Sequence, residues 1–177
     1  DQVAEESRGM IVGIFPRRTQ LTRAAVGEGS DVQLIAANVD YVCIVTSLNR
    51  DFNLRRLERY LVLTWDSGAV PLIVLNNVDL REGLEERMEE LAGVSAGAQV
   101  VAVSALDGSG MDALRALLPV GKTASFLGSS GVGKSTLLNR LCGEIRQHTS
   151  DIRTEDDRGR HTTTSRSLVK LDSGILI

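Results

Sequence analysis

The sequence predicts an α/β domain in which a mostly parallel β-sheet is flanked by helices. Three observations lead to this fold class. A G-x-x-x-x-G-K-S motif at 128–135 lies between an apolar strand pattern and a helix pattern. The apolar run at 70–75 has the character of a parallel strand that is buried on both faces. Strand and helix patterns also alternate along most of the chain, as they do in β-α-β units.

The expected elements follow from the periodicity of the apolar residues. Strands are expected at 41–45, 70–75, 99–104, 125–127 and 167–171. Helices are expected near 54–65, 83–92, 110–118 and 134–142. The second of these helices carries Leu84, Met88 and Leu91 on one face, and the last has leucines spaced three and four residues apart.

The motif at 128–135 has the composition of a phosphate-binding loop, which predicts a P-loop NTPase-like fold. Its glycines let backbone N–H groups converge on phosphate oxygens at a helix N-terminus. Lys134 is then placed to reach the β- and γ-phosphates, and the Ser135 hydroxyl to bind Mg²⁺. A glycine-rich turn that binds nothing would not need Lys and Ser at these offsets. The predicted phosphate-binding residues are Gly128, Ser129, Ser130, Gly131, Val132, Gly133, Lys134, Ser135 and Thr136.

A second motif, at 76–79, follows the apolar strand at 70–75. It reads Asn-Asn-Val-Asp and resembles the guanine-reading N-K-x-D motif of GTPases. The Asp79 carboxylate can accept hydrogen bonds from guanine N1–H and the exocyclic amine, a pattern that adenine lacks. Asn76 and Asn77 complete the predicted base-binding segment, and Asn77 replaces a lysine whose stem would pack along the base. Taken alone, N-x-x-D is more often a polar turn that closes a strand.

A Ser-Ala pair at 104–105 strengthens the guanine interpretation. Ser104 and Ala105 end the next predicted strand, one helix and one strand after Asp79, and resemble the S-A-[KL] element that contacts guanine O6. A lone Ser-Ala pair carries little information, whereas the pair at this spacing supports a guanine site.

A polar stretch from 147 to 158 leads into Gly-Arg-His-Thr-Thr-Thr at 159–164. Because 146–160 has no apolar periodicity, this segment fits a switch loop. Thr162 or Thr163 is expected to contact the γ-phosphate, with Thr163 also a candidate Mg²⁺ ligand. His161 is the one residue of the segment suited to positioning a water for hydrolysis, although a solvent-exposed loop histidine is the alternative.

The guanine elements precede the phosphate elements, which is the order expected in a circularly permuted GTPase. The chain resembles the RsgA (YjeQ) family of circularly permuted GTPases that act in maturation of the small ribosomal subunit. This resemblance implies GTP hydrolysis to GDP and phosphate, and binding to the small subunit and its rRNA. The segments that carry it are 17–23, 36–40, 53–61, 128–135 and 159–164.

The resemblance also suggests a division of the chain. Residues 1–24 are expected to be the remnant of an OB-fold barrel with a linker, and 9–15 to be the last strand of that barrel. Residues 25–177 are expected to form the permuted GTPase domain, ending just before the family's D-x-P-G motif. A zinc-binding segment would follow in the family. We therefore expect weak hydrolysis from this chain.

Composition limits the remaining possibilities. With 177 residues, 42% hydrophobic and 24% charged, the chain can bury one α/β core and a fragment. No apolar run approaches about 18 residues and no signal peptide is visible, so we expect a cytoplasmic protein that is not bound to a membrane. We also expect a monomer. Cys43 and Cys142 do not have metal-ligand spacing and are expected to be reduced thiols.

The net charge of −3 argues against wholesale electrostatic wrapping of nucleic acid. The arginines are nevertheless clustered, so contact with rRNA would depend on phosphates and salt. Two other functions remain open: a nucleotide-dependent scaffold that scarcely hydrolyses GTP, and an ATP-using P-loop enzyme in which Asp79 is incidental. The clustered arginines are Arg17, Arg18, Arg23, Arg153, Arg158, Arg160 and Arg166.

Overall fold

The computed structural model of the chain contains a central parallel sheet, a small antiparallel sheet and four α-helices among its described residues. Those residues are 10–24, 32–49, 52–80, 82–143, 168–171 and 173–177. The strands are β1 (Gln20–Ala24), β2 (Val32–Ala37), β3 (Tyr41–Ser47), β4 (Val70–Asn76), β5 (Gln99–Ala102) and β6 (Ala124–Leu127). The helices are α1 (Leu54–Asp66), α2 (Leu84–Val94), α3 (Met111–Ala116) and α4 (Lys134–Cys142).

The central sheet has the strand order β5-β4-β3-β6, and all three neighbouring pairs are parallel. Its four strands therefore end at one edge, where ligands bind in open α/β sheets. This confirms the predicted fold class of a mostly parallel sheet flanked by helices. The four predicted helices are present, with ends that differ from the expected ones by a few residues.

Alternating side chains of the central strands fill two separate cores. In β3, Val42 and Ile44 lie in one core, while Cys43 and Val45 lie in the other. Helices α1 and α2 cover the first face with leucines such as Leu57, and α3 and α4 cover the second. Because these strands are buried on both faces, they have continuous apolar sequences.

Burial also explains the behaviour of the β3 thiol. Cys43 has no exposed surface, and burial raises its pKa to about 12. The thiol is therefore neutral and acts as a small apolar side chain of the core. Cys43 and Cys142, both within the described part of the chain, form no disulfide.

The segment before the central sheet differs from the expected barrel strand. Residues 10–17 have no regular secondary structure, and apolar side chains such as Val12 and Phe15 are more than 90% exposed. The OB-fold remnant is therefore not confirmed. Instead, β1 and β2 form an antiparallel pair that was not predicted from the sequence, and Leu21 of β1 joins the core beside α1. The predicted boundary between residues 24 and 25 falls between these two paired strands.

The C-terminal residues return to the free side of β6. Val169 and Ile177 exchange backbone hydrogen bonds, and Leu176 forms a parallel bridge with Thr123. Leu171 and Ile175 are buried in the core beside α4. Among the described residues of the strand expected at 167–171, a single bridge, from Lys170 to Leu176, is present rather than a continuous strand.

A carboxylate joins the starts of β3 and β6. Asp40 accepts hydrogen bonds from the Thr123 backbone N–H at 3.0 Å and from Lys122 Nζ at 3.1 Å, and Arg18 Nη1 lies 3.8 Å away. Partial burial acts to raise the pKa of Asp40, but the Thr123 and Lys122 hydrogen bonds and the charges of Lys122 and Arg18 hold it below its ordinary value.

None of the helices in the described part of the chain combines the length and apolar character that crossing a membrane requires.

The first prediction concerns the pH dependence of stability. Since the folded-state pKa of Asp40 is lowered, its charged form stabilises the fold above the unfolded-state pKa, and this contribution is lost as the pH falls through the folded pKa. Wild type should be more stable than Asp40→Asn near pH 6, and the difference should shrink by about pH 3. Urea unfolding at both pH values measures it; a difference of equal size at both would contradict the prediction.

Candidate functional site

The ends of the parallel strands bring the predicted guanine and phosphate loops to one edge of the sheet. The loop after β6 contains 128–133, the loop after β4 contains 77–79, and the turn after β5 contains 103–110. These loops are distant in sequence, and the parallel register places them side by side. The edge therefore collects backbone N–H groups, a lysine and a carboxylate within one surface.

The P-loop has a backbone that only glycine adopts easily. Gly131 and Gly133 have φ values of 84° and 89°, in the left-handed region. A Cβ at Gly128 would collide with the Val45 carbonyl oxygen, so this glycine also allows the loop to pass close to β3. A glycine-rich backbone of this kind, placed directly before a helix, allows successive N–H groups to converge on an anion.

Lys134 begins α4 and folds back over the loop. Its ammonium donates to the carbonyl oxygens of Gly128, at 2.9 Å, and Ser129. Ser135 and Thr136 follow in the first helical turn and are half-buried. A cation and two hydroxyls are thus concentrated at the positive end of the helix dipole, which favours a polyphosphate.

The Asn76 side chain connects all three loops. Its Nδ2 donates to the Val132 carbonyl oxygen in the P-loop at 2.9 Å, and its Oδ1 accepts from the Ala105 N–H at 3.1 Å. Asn76 is 2% exposed, and a Cβ at Gly133 would collide with its amide nitrogen. The carboxamide is therefore satisfied at both ends and packed tightly against the P-loop.

Asp79 is oriented by the turn after β5. Ser104 Oγ donates to Asp79 Oδ1 at 2.7 Å and accepts the Asp107 N–H at 3.2 Å. The backbone N–H of Ser109 binds the Asp107 carboxylate at 2.8 Å and is the main cause that holds the pKa of Asp107 below its usual value. A charged, hydrogen-bonded Asp107 closes the turn that carries Ser104, so Asp79 has a defined direction.

Asn77 is hydrogen-bonded through its side chain to the end of β3. Its backbone is left-handed, with φ of 65°, and its Oδ1 accepts a hydrogen bond from Ser47 Oγ at 3.0 Å. Ser47 is not among the site residues predicted from the sequence. Its place at the end of a buried strand, on the edge where the motifs meet, was the available signal.

The predicted switch residues His161, Thr162 and Thr163 lie outside the described residues, so their place relative to the P-loop stays a prediction. In the described ranges, no group of three or more His, Cys, Asp or Glu side chains is placed to hold a metal ion. A surface depression of about 740 Å³ runs along α1, on the sheet face opposite α4. None of the predicted nucleotide-binding residues lines it.

A family model described as RsgA GTPase matches residues 14–177. The chain belongs to the RsgA GTPase family. The match confirms the family membership that the sequence motifs predicted. A relative from Methanosarcina acetivorans, named small ribosomal subunit biogenesis GTPase RsgA, is 49% identical over 177 residues, which is 100% of this chain and 48% of the relative.

Other members of the RsgA family are similarly close. A protein from Lactiplantibacillus plantarum, named small ribosomal subunit biogenesis GTPase RsgA 2, is 48% identical over 97% of this chain and 49% of its own length. The chain therefore spans about half the length of the curated relatives it matches.

Solved structures show the same fold. The crystal structure of YjeQ from Thermotoga maritima matches with a TM-score of 0.66 and 27% identity, covering 93% of this chain and 52% of that one. YloQ, described as a circularly permuted GTPase, matches with a TM-score of 0.61 and 24% identity, covering 99% of this chain and 52% of that one. These similarities confirm the permuted P-loop fold.

The second prediction tests Asn76 as the connection between the loops. Asn76→Ala should lower the free energy of unfolding by about 2–4 kcal/mol, because it leaves the Ala105 N–H and Val132 carbonyl buried without partners. Urea unfolding without nucleotide measures this change. Asn53→Ala is the control, since it removes only the exposed N-cap of α1 and should cost about 1 kcal/mol. Equal losses in the two variants would contradict the role of Asn76.

Proposed function

We propose that this chain is the nucleotide-binding part of a factor that binds and hydrolyses GTP during maturation of the small ribosomal subunit. The observation that carries the proposal is the Asn76 carboxamide, which joins the Asp79 loop, the Ser104 turn and the P-loop into one site. The names of the relatives support the ribosomal role. The factor would act on small-subunit particles and their rRNA in the cytoplasm, as a monomer.

Base selection is assigned to the loops after β4 and β5. Ser104 engages one oxygen of Asp79 while the carboxylate keeps further acceptor positions for guanine N1–H and the exocyclic amine. Backbone N–H groups near Ala105 are assigned to guanine O6. Adenine carries an amino group where guanine has O6. This amino group would face the backbone N–H donors, and neither hydrogen bond to the Asp79 carboxylate would form.

The P-loop is assigned to the phosphates of GTP or GDP. Lys134 would exchange its carbonyl contacts for phosphate oxygens, and the N–H groups of 129–136 would surround the β-phosphate. The residues present fit Mg²⁺ in part: the Ser135 hydroxyl lies in the first turn of α4, and Thr163 is the second proposed ligand. When bound, Mg²⁺ would neutralise developing phosphate charge.

Hydrolysis is assigned to a water that attacks the γ-phosphorus while the bond to the β–γ bridging oxygen breaks. His161 would position this water by accepting a hydrogen bond from it, and Thr162 and Thr163 would order the switch against the triphosphate. The proposed intrinsic rate is slow and rises when the small subunit is bound. An order–disorder change of the switch would then control the affinity for the ribosomal particle.

The third prediction tests nucleotide choice. Unlabelled GTP should displace a fluorescent guanine nucleotide from the chain with Mg²⁺ present, whereas ATP should not. Asp79→Ala should raise the Kd for GTP about 100-fold, since it removes two charge-assisted hydrogen bonds, and Lys134→Ala should raise it at least as much. Equal competition by ATP would refute guanine specificity. No binding by wild type would refute the proposed site in this chain.

The fourth prediction tests hydrolysis. His161→Ala should lower GTP turnover about 100-fold and leave the Kd for GTP close to that of wild type, because a water-positioning group acts on the chemical step. His148→Ala is the matched control and should keep wild-type turnover. Phosphate release is measured with and without purified small ribosomal subunits. Unchanged turnover in His161→Ala would refute the catalytic assignment, and turnover absent from wild type in both conditions would favour the scaffold.

A further inference from the structure

The loop after β4, here called the base loop because it carries Asp79, has an unusual backbone conformation at Asn77. Its φ of 65° lies in the left-handed region, where non-glycine residues are uncommon and asparagine is among the most tolerated. Among the described residues, only Asn38 and Ala96 share this feature outside the glycines. Asn77 therefore favours a loop shape that a lysine would adopt at greater cost.

The side chain of Asn77 is hydrogen-bonded to the neighbouring strand β3. Its Oδ1 accepts from Ser47 Oγ at 3.0 Å, and Ser47 is fully buried at the end of β3. The backbone adds a second connection, because the Leu48 N–H donates to the Asn76 carbonyl oxygen at 3.0 Å. The end of β3 thus holds the base loop through both backbone and side chain.

The loop after β4 is consequently held from two sides. On the β3 side, the Ser47 hydroxyl binds Asn77, and on the β5 side, the Ser104 hydroxyl binds Asp79. Asp79 lies two residues after Asn77, so a rotation of the backbone at Asn77 would turn the Asp79 carboxylate. Two parallel hydrogen bonds to guanine tolerate little angular error.

We propose that Ser47 and Asn77 form a positioning pair that directs the Asp79 carboxylate at both donors of guanine. In the N-K-x-D motif, the lysine stem packs along the base. In this chain, the Ser47–Asn77 hydrogen bond restrains the loop from the side of the sheet instead. This inference rests on the proposed function, since it assumes a guanine nucleotide at Asp79.

The experiment compares binding of GDP and inosine diphosphate, which lacks the exocyclic amine and can make only one of the two bonds. Wild type, Ser47→Ala, Asn77→Gly and the double variant are titrated with both nucleotides. Glycine keeps the left-handed backbone available while removing the carboxamide. Since both Kd values come from the same sample, a loss of folded protein cancels in their ratio.

Each single variant should raise the Kd for GDP about 5-fold and lower the preference for GDP over inosine diphosphate by a similar factor. The double variant should bind GDP no more weakly than the weaker-binding single variant does, because both substitutions remove the same hydrogen bond. Asn38→Gly is the matched control: Asn38 also has a positive φ, of 55°, and accepts the Arg18 N–H at 2.9 Å, but it lies before β3 at the opposite edge. Its base preference should equal that of wild type.

Two kinds of failure are distinguishable. If wild type does not bind GDP, or Asp79→Ala binds it as well as wild type does, the proposed function fails. If Asp79→Ala loses GDP but Ser47→Ala and Asn77→Gly keep the wild-type base preference, the positioning pair alone is overturned. Independent, multiplying effects of the two changes would also overturn the pair, because a shared bond can be lost only once.

Discussion

The hydrogen bonds of one buried carboxamide, that of Asn76, fix the geometry of the whole sheet edge. Its oxygen holds the turn after β5 and its nitrogen holds the P-loop, so two loops on different sides of β4 are tied to one residue. Each of these loops is short and irregular. Joined at Asn76, the proposed base-binding turn and the proposed phosphate-binding loop keep a constant separation. The absence of a side chain at Gly133 is part of the same contact, because the P-loop could not otherwise approach the amide.

The parallel sheet supplies the platform on which this contact forms. Both faces of β3 and β4 are buried, by α1 and α2 on one side and α3 and α4 on the other, so these strands cannot shift without exposing apolar surface. Circular permutation changes the order in which the loops occur along the chain but not the edge at which they meet. The Asn76 to Val132 hydrogen bond joins residues 56 positions apart, so the chain loses conformational entropy when it forms. The bond therefore depends on folding of the full sheet.

Hydroxyl groups at the ends of the flanking strands refine the site. Ser47 and Ser104 each bind a residue of the loop after β4, one from the β3 side and one from the β5 side. At the other end of the sheet, Asp40 joins the starts of β3 and β6 through Lys122 and Thr123. The starts of β3 and β6 are thus joined by a charged group at the amino edge of the sheet, whereas two serine hydroxyls hold the loop after β4 at the carboxyl edge.

The sequence by itself determined the fold class, the four helices and the motifs at 76–79, 104–105 and 128–135, because periodicity and glycine spacing are local properties. The tertiary structure decided what depends on distant partners. It showed that Asn76 bonds to the P-loop, that Asn77 turns to Ser47, and that β1 pairs with β2 where the sequence suggested a barrel remnant. Hydrogen-bond partners 30 or 56 residues apart leave no mark in local patterning, since any polar residue at a strand end satisfies the same pattern. Only the register of the sheet selects which of them meet.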